Sequence, residues 1–396
     1  MSIEVRIYNP SLELQGVIDE FSSLIWIRRY QTPGEFEIRT PYAAESKRLL
    51  IPENIVQKFD GKETVEAGVI ENIFMNQNEI IIKGRFLESY LDRRLIKATT
   101  YYTGNAEDSI RSIISNMVAI PLLSLGTDHG LTETLVFQAT YKSVLNIVSK
   151  ACRATGLGFR IRPDFATRNL YFEVYKGADR TSSSGAKVIF SEKYDNLMNE
   201  AYSYDSTAYK TKAFVSQLIN DVRVAYDVGG GTGLGLREVH VPTTVDTNNK
   251  TTAEIKASME NQGQRALDSK TIKESFTFST DADSPFIYRT DYDIGDQVHV
   301  NHISWNINLA LRISEIEEDY EGGGREIFLT CGSPLPEIMD FGIKCLFTHK
   351  TMVIFLTAIT TTEPTTRRAS RHGSSLSSRR ASSRAVSRSK RRRHRT

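Results

Sequence analysis

Cysteine is scarce in this 396-residue chain, and the three present (Cys152, Cys331 and Cys345) are odd in number and far apart. No CxxC pair occurs, so the sequence offers neither a disulfide framework nor a zinc-ribbon spacing. Long apolar runs are also missing. The longest is Met352-Val353-Ile354-Phe355-Leu356, far short of the roughly 20 residues a helix needs to cross a bilayer. The opening MSIEVRIYNP lacks a basic segment followed by an apolar one, so no leader peptide and no membrane anchor are expected. There is no GxSxG, no HExxH and no GxxxxGK[ST], which removes the commonest signatures of serine hydrolases, zinc proteases and P-loop enzymes. What remains is 40% hydrophobic and 25% charged, the composition of an ordinary globular protein.

Charge is unevenly spread. Residues 365–396 hold twelve Lys and Arg and no acid, which leaves residues 1–364 with a net charge of −10. An acidic body is a poor general nucleic-acid binder, because phosphate contacts need a basic surface. The basic end, TTRRASRHGSSLSSRRASSRAVSRSKRRRHRT, is too poor in apolar residues to fold alone. It fits three readings: a charge-based partner site, a strap onto the acidic body, or translation in a shifted frame. Its composition favours the last.

Three stretches of different character precede it. Residues 1–98 read mostly as strands: Ile3 to Ile7, Leu24 to Trp26, Phe36 to Ile38, then a meander over 55–59, 64–74 and 79–84. A short helix is expected from Pro41 to about Leu50, and helical spacing recurs at Phe86, Tyr90, Leu91 and Leu95. Residues 99–185 carry two apolar helix stripes (Ile110, Ile113, Ile114, Met117, Val118; Tyr141, Val144, Leu145, Val148, Cys152), the second closed by Gly156. A hairpin follows around 163–169 and a loop at 181–185 ends this α/β insert. Residues 186–341 return to strands, with a helix over 253–267 interrupted by Gly263 and a final meander over 297–303, 308–316 and 325–331. The class expected is mainly β with an α/β insert, α+β overall.

The two meanders resemble each other. Each has a long middle strand with an acid after apolar residues: Val69-Ile70-Glu71 in one, Ile313-Ser314-Glu315 in the other. This is a pattern and not a fixed-period repeat, so a solenoid or propeller is excluded, while chance likeness of two common motifs stays open. If the pattern marks a duplication, three subunits would present six similar domains about one axis.

Candidate chemistry is thin. Gly229 to Gly235 is glycine-rich, but no lysine follows and the next residues read as strand, so a hairpin tip is favoured over a phosphate loop. His299 and His302 fall on opposite faces of a strand and cannot converge on a metal. Glu315, Glu317, Glu318, Asp319 and Glu321 crowd one strand end, but a glycosidase needs a second, opposed carboxylate that nothing places. Cys152 and Cys331 are expected in the core. No catalytic, cofactor or metal residue is assigned.

The stretches GEFEIRTPY (34–42), KGRFLESYLDRRLI (83–96), SFTFSTDADSPFIYRTDYDIGDQVHV (275–300) and RISEIEEDYEGGGREIFLTCGSPLP (312–336), in that order, resemble the siphophage tail-hub family of ReqiPepy-type Gp37-like structural proteins. The likeness spans roughly residues 1–341 and does not extend to 342–396. It implies a non-enzymatic virion protein at the tail tip of a phage or prophage, made in the bacterial cytoplasm. Two tube-like β-barrel domains (1–98 and 186–341) and the insert (99–185) would form a homotrimeric, pseudo-hexameric ring. That ring would meet the distal tail protein ring, enclose the tape-measure protein and later the DNA in transit, and sit beside a receptor-binding or tail-fibre protein. An acidic lumen would let DNA slide, and Glu66, Glu71, Glu315, Glu317, Asp319 and Glu321 are its candidate lining. The alternatives are a carbohydrate- or receptor-binding β protein using Trp305 and nearby tyrosines, or a cell-wall hydrolase with Glu315 or Glu317 as acid.

Overall fold

A computed structural model describes residues 3–333 except 62–65, 118, 140, 182–186, 246, 249, 281–283 and 323. The basic end, the 352–356 apolar run, Cys345 and most of the 181–185 loop lie outside the described residues.

The chain is mainly β. The first stretch forms β1 (Glu4–Tyr8), β2 (Leu14–Ile18), β3 (Ser23–Arg29), β4 (Glu35–Pro41), helix α1 (Ala44–Leu49), β5 (Ile55–Phe59), β6 (Gly68–Met75) and β7 (Glu79–Phe86). The expected helix from Pro41 begins three residues later. Pro41 instead ends β4 opposite Glu79, a strand-end position where its missing N–H costs no ladder bond. Leu87–Arg93 is a 3₁₀ helix and not an α-helix. The edge strand β2 escapes the sequence reading, because LQGVI is short and largely exposed.

The insert contains β8 (Thr100–Asn105), α2 (Ala106–Met117), β9 (Leu123–Leu125), β10 (Thr134–Ala139), α3 (Val144–Thr155), β11 (Gly158–Asp164) and β12 (Asn169–Tyr175). Ser143 caps α3 by accepting the Asn146 N–H, and Gly156 ends it at φ 71°, where a side chain would be strained. Ile110, Ile113 and Ile114 of α2 meet Val144, Val148 and Cys152 of α3 in one core over the β11–β12 hairpin.

The last stretch holds β13 (Ile189–Ser191), β14 (Met198–Asp205), β15 (Lys212–Ile219), β16 (Val222–Gly229), β17 (Glu238–Pro242), α4 (Thr252–Asp268), β18 (Lys273–Thr280), β19 (Gln297–His302), β20 (Ile307–Glu321) and β21 (Gly324–Gly332). Helix α4 is not interrupted at Gly263. A Cβ there would sit 2.5 Å from the Val215 side chain, so glycine is what lets the helix lie close on β15. The Gly-rich stretch is not a hairpin tip. β16 and β17 flank β15 on opposite sides, and β17 runs parallel to it, so Gly229 ends β16 and residues 230–235 cross over to β17.

Both expected meanders are present, β5–β6–β7 and β19–β20–β21, and both lie in one thirteen-stranded sheet. The bridge between the two halves is the antiparallel pair β3–β20, from Ser23↔Glu321 to Arg29↔Glu315. β20 is long enough to pair β19 with its first half and β3 with its second. Its core face is shared likewise: Ile313 and Ile316 join the C-terminal core, Tyr320 the N-terminal one. Among the described residues the pairing runs open from β14 to β2 and closes into no barrel.

Candidate functional site: a charged sheet face over a buried ionic seam

Alternation divides the bridge strands into two faces. On β3, Leu24, Trp26 and Arg28 are buried, while Ile25, Ile27 and Arg29 are half-buried on the other side. On β20, Glu318 and Tyr320 share the buried side; Glu315, Glu317, Asp319 and Glu321 face the other way.

The buried side carries an ionic seam between the halves. Lys58 Nζ donates to Glu318 Oε2 at 2.6 Å, and both side chains are fully buried. Tyr320 OH donates to the same oxygen at 2.6 Å, and Arg325 reaches it at 2.8 Å. Arg289 lies 3.5 Å from Glu318 and 3.4 Å from Glu66. Arg28 closes the network, 2.5 Å from Glu66, 2.8 Å from the Tyr288 hydroxyl and paired with Asp293. Burial works to raise the Glu318 carboxyl, but Lys58, Arg289 and Arg325 together outweigh it and hold it at about 2. Burial brings Lys58 down to about 8 against the pull of Glu318, so at neutral pH the pair stays ionic. Both values move down: at Glu318 the cations outweigh burial and favour the charged form, while at Lys58 burial, with Arg289 and Arg325 beside it, outweighs Glu318.

The half-exposed face runs from β21 through β20, β3 and β4 to β7. Its rows are Glu326–Asp319–Ile25–Glu37–Lys83 and Phe328–Glu317–Ile27–Glu35–Arg85. On the N-terminal strands the acids are answered: Glu37 pairs with Arg39 and Lys83, Glu35 with Arg29, and Glu71 with Arg85 at 2.8 Å. Glu315 pairs with Arg29 at 2.6 Å. On β20 and β21 acid faces acid. Asp319 stands opposite Glu326, and burial, then Glu321 and Glu326, push its carboxyl up to about 6.

Of the six acids singled out in the sequence, Glu315, Glu317, Asp319 and Glu321 therefore share one face, as alternation implies. Glu71 reaches that face through Arg85. Glu66 does not: its side chain is committed to Arg28 and Arg289 inside the subunit. Sequence reasoning misses the seam, since Lys58 and Glu318 stand 260 positions apart.

Other candidates resolve simply. Cys152 and Cys331 are buried. Trp26 is core, packed against Phe36 and Phe86. Trp305 is 47% exposed and stacks on His302 at 3.9 Å. Among the described residues no group of His, Cys, Asp or Glu could hold a metal ion, and no helix is long and apolar enough to cross a membrane.

Residues 4–333 match the family described as Siphovirus ReqiPepy6 Gp37-like protein. Three solved structures share the fold over nearly their whole length. A 43 kDa tail protein of prophage MuSo2 from Shewanella oneidensis aligns with TM-score 0.54 at 14% identity, covering 83% of this chain and 98% of that one. A tail protein from Neisseria meningitidis MC58 gives 0.54 at 13%, covering 84% and 97%. Prophage tail protein gp18 from Listeria monocytogenes EGD-e gives 0.51 at 14%, covering 86% and 97%. No curated protein matches the chain. With 330 of its residues matched, the chain belongs to the Siphovirus ReqiPepy6 Gp37-like family.

Proposed function

We propose that this chain is a structural, non-enzymatic subunit of a phage or prophage tail tip. In this reading three copies form a ring that joins the tail tube to the tip and encloses the channel. The observation that carries the proposal is the single sheet running through both halves by way of β3–β20, which turns one charged face the same way from each. Family membership and the likeness in fold to phage and prophage tail proteins support it. Each subunit would supply two meander-bearing arcs. The sheet's open ends, β14 and β2, leave ladder groups for neighbours to use, so arcs that close no barrel alone could complete a tube together. Three subunits would offer six similar arcs to a sixfold distal-tail ring.

The half-exposed face is the proposed lumen side. There the acids gathered on β20 and β21 (Glu317, Asp319, Glu321, Glu326), with Asp319 directly opposite Glu326, would repel passing DNA, while Glu71 and Glu315 hold the face's arginines. Glu66 serves the seam and not the lumen. The test is the native mass of the full chain by light scattering across concentrations, alone and with a matching distal-tail ring. Trimers, or trimers recruited by that ring, are expected. A strict monomer under both conditions would sink the ring.

A second reading rests on Trp305, whose exposed ring, stacked on His302, lies in a chain of aromatics through Phe276 to Tyr202. Such a ledge suits sugar stacking. Glycan-array binding lost in Trp305→Ala would favour a receptor-binding role.

A further inference from the structure

The insert, the N-terminal half and the C-terminal half meet at one point. A space of about 20 Å3 lies there, lined by Arg28, Arg29, Glu66 and Glu88 of the first half, Arg160 and Tyr175 of the insert hairpin, and Ile294 of the last stretch. That volume suits one water and nothing larger. Two residues lining it carry buried polar atoms with no partner among the described residues: Arg28 Nε and Glu88 Oε2. Both side chains are about 95% buried. The remaining Arg28 nitrogens are taken by Glu66, Asp293 and Tyr288. The other Glu88 oxygen accepts the backbone N–H of Ile161 in β11 at 2.9 Å. Glu88 is thus a side chain of the body that holds the backbone of the insert. Buried polar atoms left unpaired are costly, and one water between these two relieves both.

We propose that this space holds one ordered water that accepts from Arg28 Nε–H and from the Oε2–H of the neutral Glu88 carboxyl, and that loss of that proton loosens the insert hairpin from the body. The charged groups facing Glu88 are Arg28, Arg29 and Arg160 on one side of the balance and Glu66 on the other; Tyr175 adds a buried hydroxyl. Arg28 and Glu66 are already paired, and Arg29 is held by Glu35 and Glu315. Arg160 bonds Glu173. Arg160 still draws the Glu88 carboxyl down, and Glu66 pushes it up, but both act less than burial. Burial pushes the Glu88 carboxyl up to about 7 against the bonds from Ile161 and its own backbone N–H. The sign follows. An acid whose folded pKa is raised favours the closed arrangement when protonated, and that advantage is lost as pH rises from about 4.5 through 7. Opening the joint lets the carboxylate reach water.

Hydrogen exchange of the full chain tests this. The segment 158–164, corrected for intrinsic exchange, is compared at pH 5.5 and 8.5 with β15–β16, whose hairpin contains no buried carboxylate. Protection of 158–164 should fall about tenfold or more relative to β15–β16, because every pH unit between the open-state and closed-state pKa values changes the opening equilibrium about tenfold. Glu88→Gln, which keeps the acceptor for Ile161, should remove that fall. Equal falls in both segments, or an unchanged fall in Glu88→Gln, would overturn the proposal. Should that variant fail to fold, the wild-type comparison still decides. A high-resolution crystal structure with the space empty would sink the water.

Discussion

On one side of β20, Glu318 is fully buried against Lys58 and held at about 2; one residue on, Asp319 faces the other side, opposite Glu326, and is pushed up to about 6. The two acids share a strand and almost a position. What separates them is the pleat, which sends neighbours to opposite faces, and the strands each face meets. The buried face brings cations onto one carboxylate from β5, from the loop at Arg289 and from the neighbouring strand β21. The other face brings more acid. One side fastens the subunit together; the other sets Asp319 against Glu326 and gathers like charge.

The largest break in that comparison is at Glu318. Glu318→Ala leaves Lys58 sealed in the core without its carboxylate, and losing one partner of a buried pair costs about 3–5 kcal/mol. Urea unfolding should show that loss, while Glu317→Ala, on the other face, stays within about 0.5 kcal/mol. Equal effects would mean that the seam is solvated in practice and that the contrast is false.

Asp319→Asn should move the other way. Because its folded pKa is raised, Asp319 contributes stability below about pH 3.8 that disappears as pH rises through about 6. Asparagine removes the repulsion, so the variant should be more stable than the parent at pH 8 by about 1 kcal/mol, discounted for a half-exposed site. The gain should vanish at pH 3.5. Glu318 has the opposite slope: its lowered pKa gives stability present above about 4.5 and lost as pH falls toward 2. Thermal midpoints of both variants across pH 3–8 would separate the two windows.

Much of this is legible in the sequence. Period-two alternation alone puts Glu315, Glu317 and Asp319 on one face, and turns and apolar strands mark out the two meanders. The helix stripes of α2 and α3, with Gly156 closing the second, are equally plain. The seam is not, because its members have no local relation: Lys58 on β5, Glu66 before β6, Arg289 in a loop and Glu318 on β20 meet only through the β3–β20 pair. The Gly-rich crossover misleads for the same reason. Local turn chemistry makes residues 229–235 look like a hairpin tip, and only the parallel pairing of β17 with β15 says otherwise.

The smallest expected effect tests the likeness of the two meanders. Glu71 sits in the register shift of β6, and Glu315 follows the one in β20. Each bonds an arginine on the adjoining strand, Arg85 in one case and Arg29 in the other. Glu71 reaches an arginine across the shifted pair itself, whereas Glu315 bonds one on β3, on the side of β20 away from its shift. The settings differ. Glu71 and Arg85 are both partly exposed and lie within one hairpin, so Glu71→Gln should cost at most about 0.5 kcal/mol. Glu315 and Arg29 are more buried and span the joint between halves, so Glu315→Gln should cost about 1 kcal/mol. High salt should shrink the first loss more than the second. If the two losses and their salt dependence coincide, the pairs are interchangeable surface bridges. If the order reverses, the joint does not lean on β3–β20, and the bulges share only a shape.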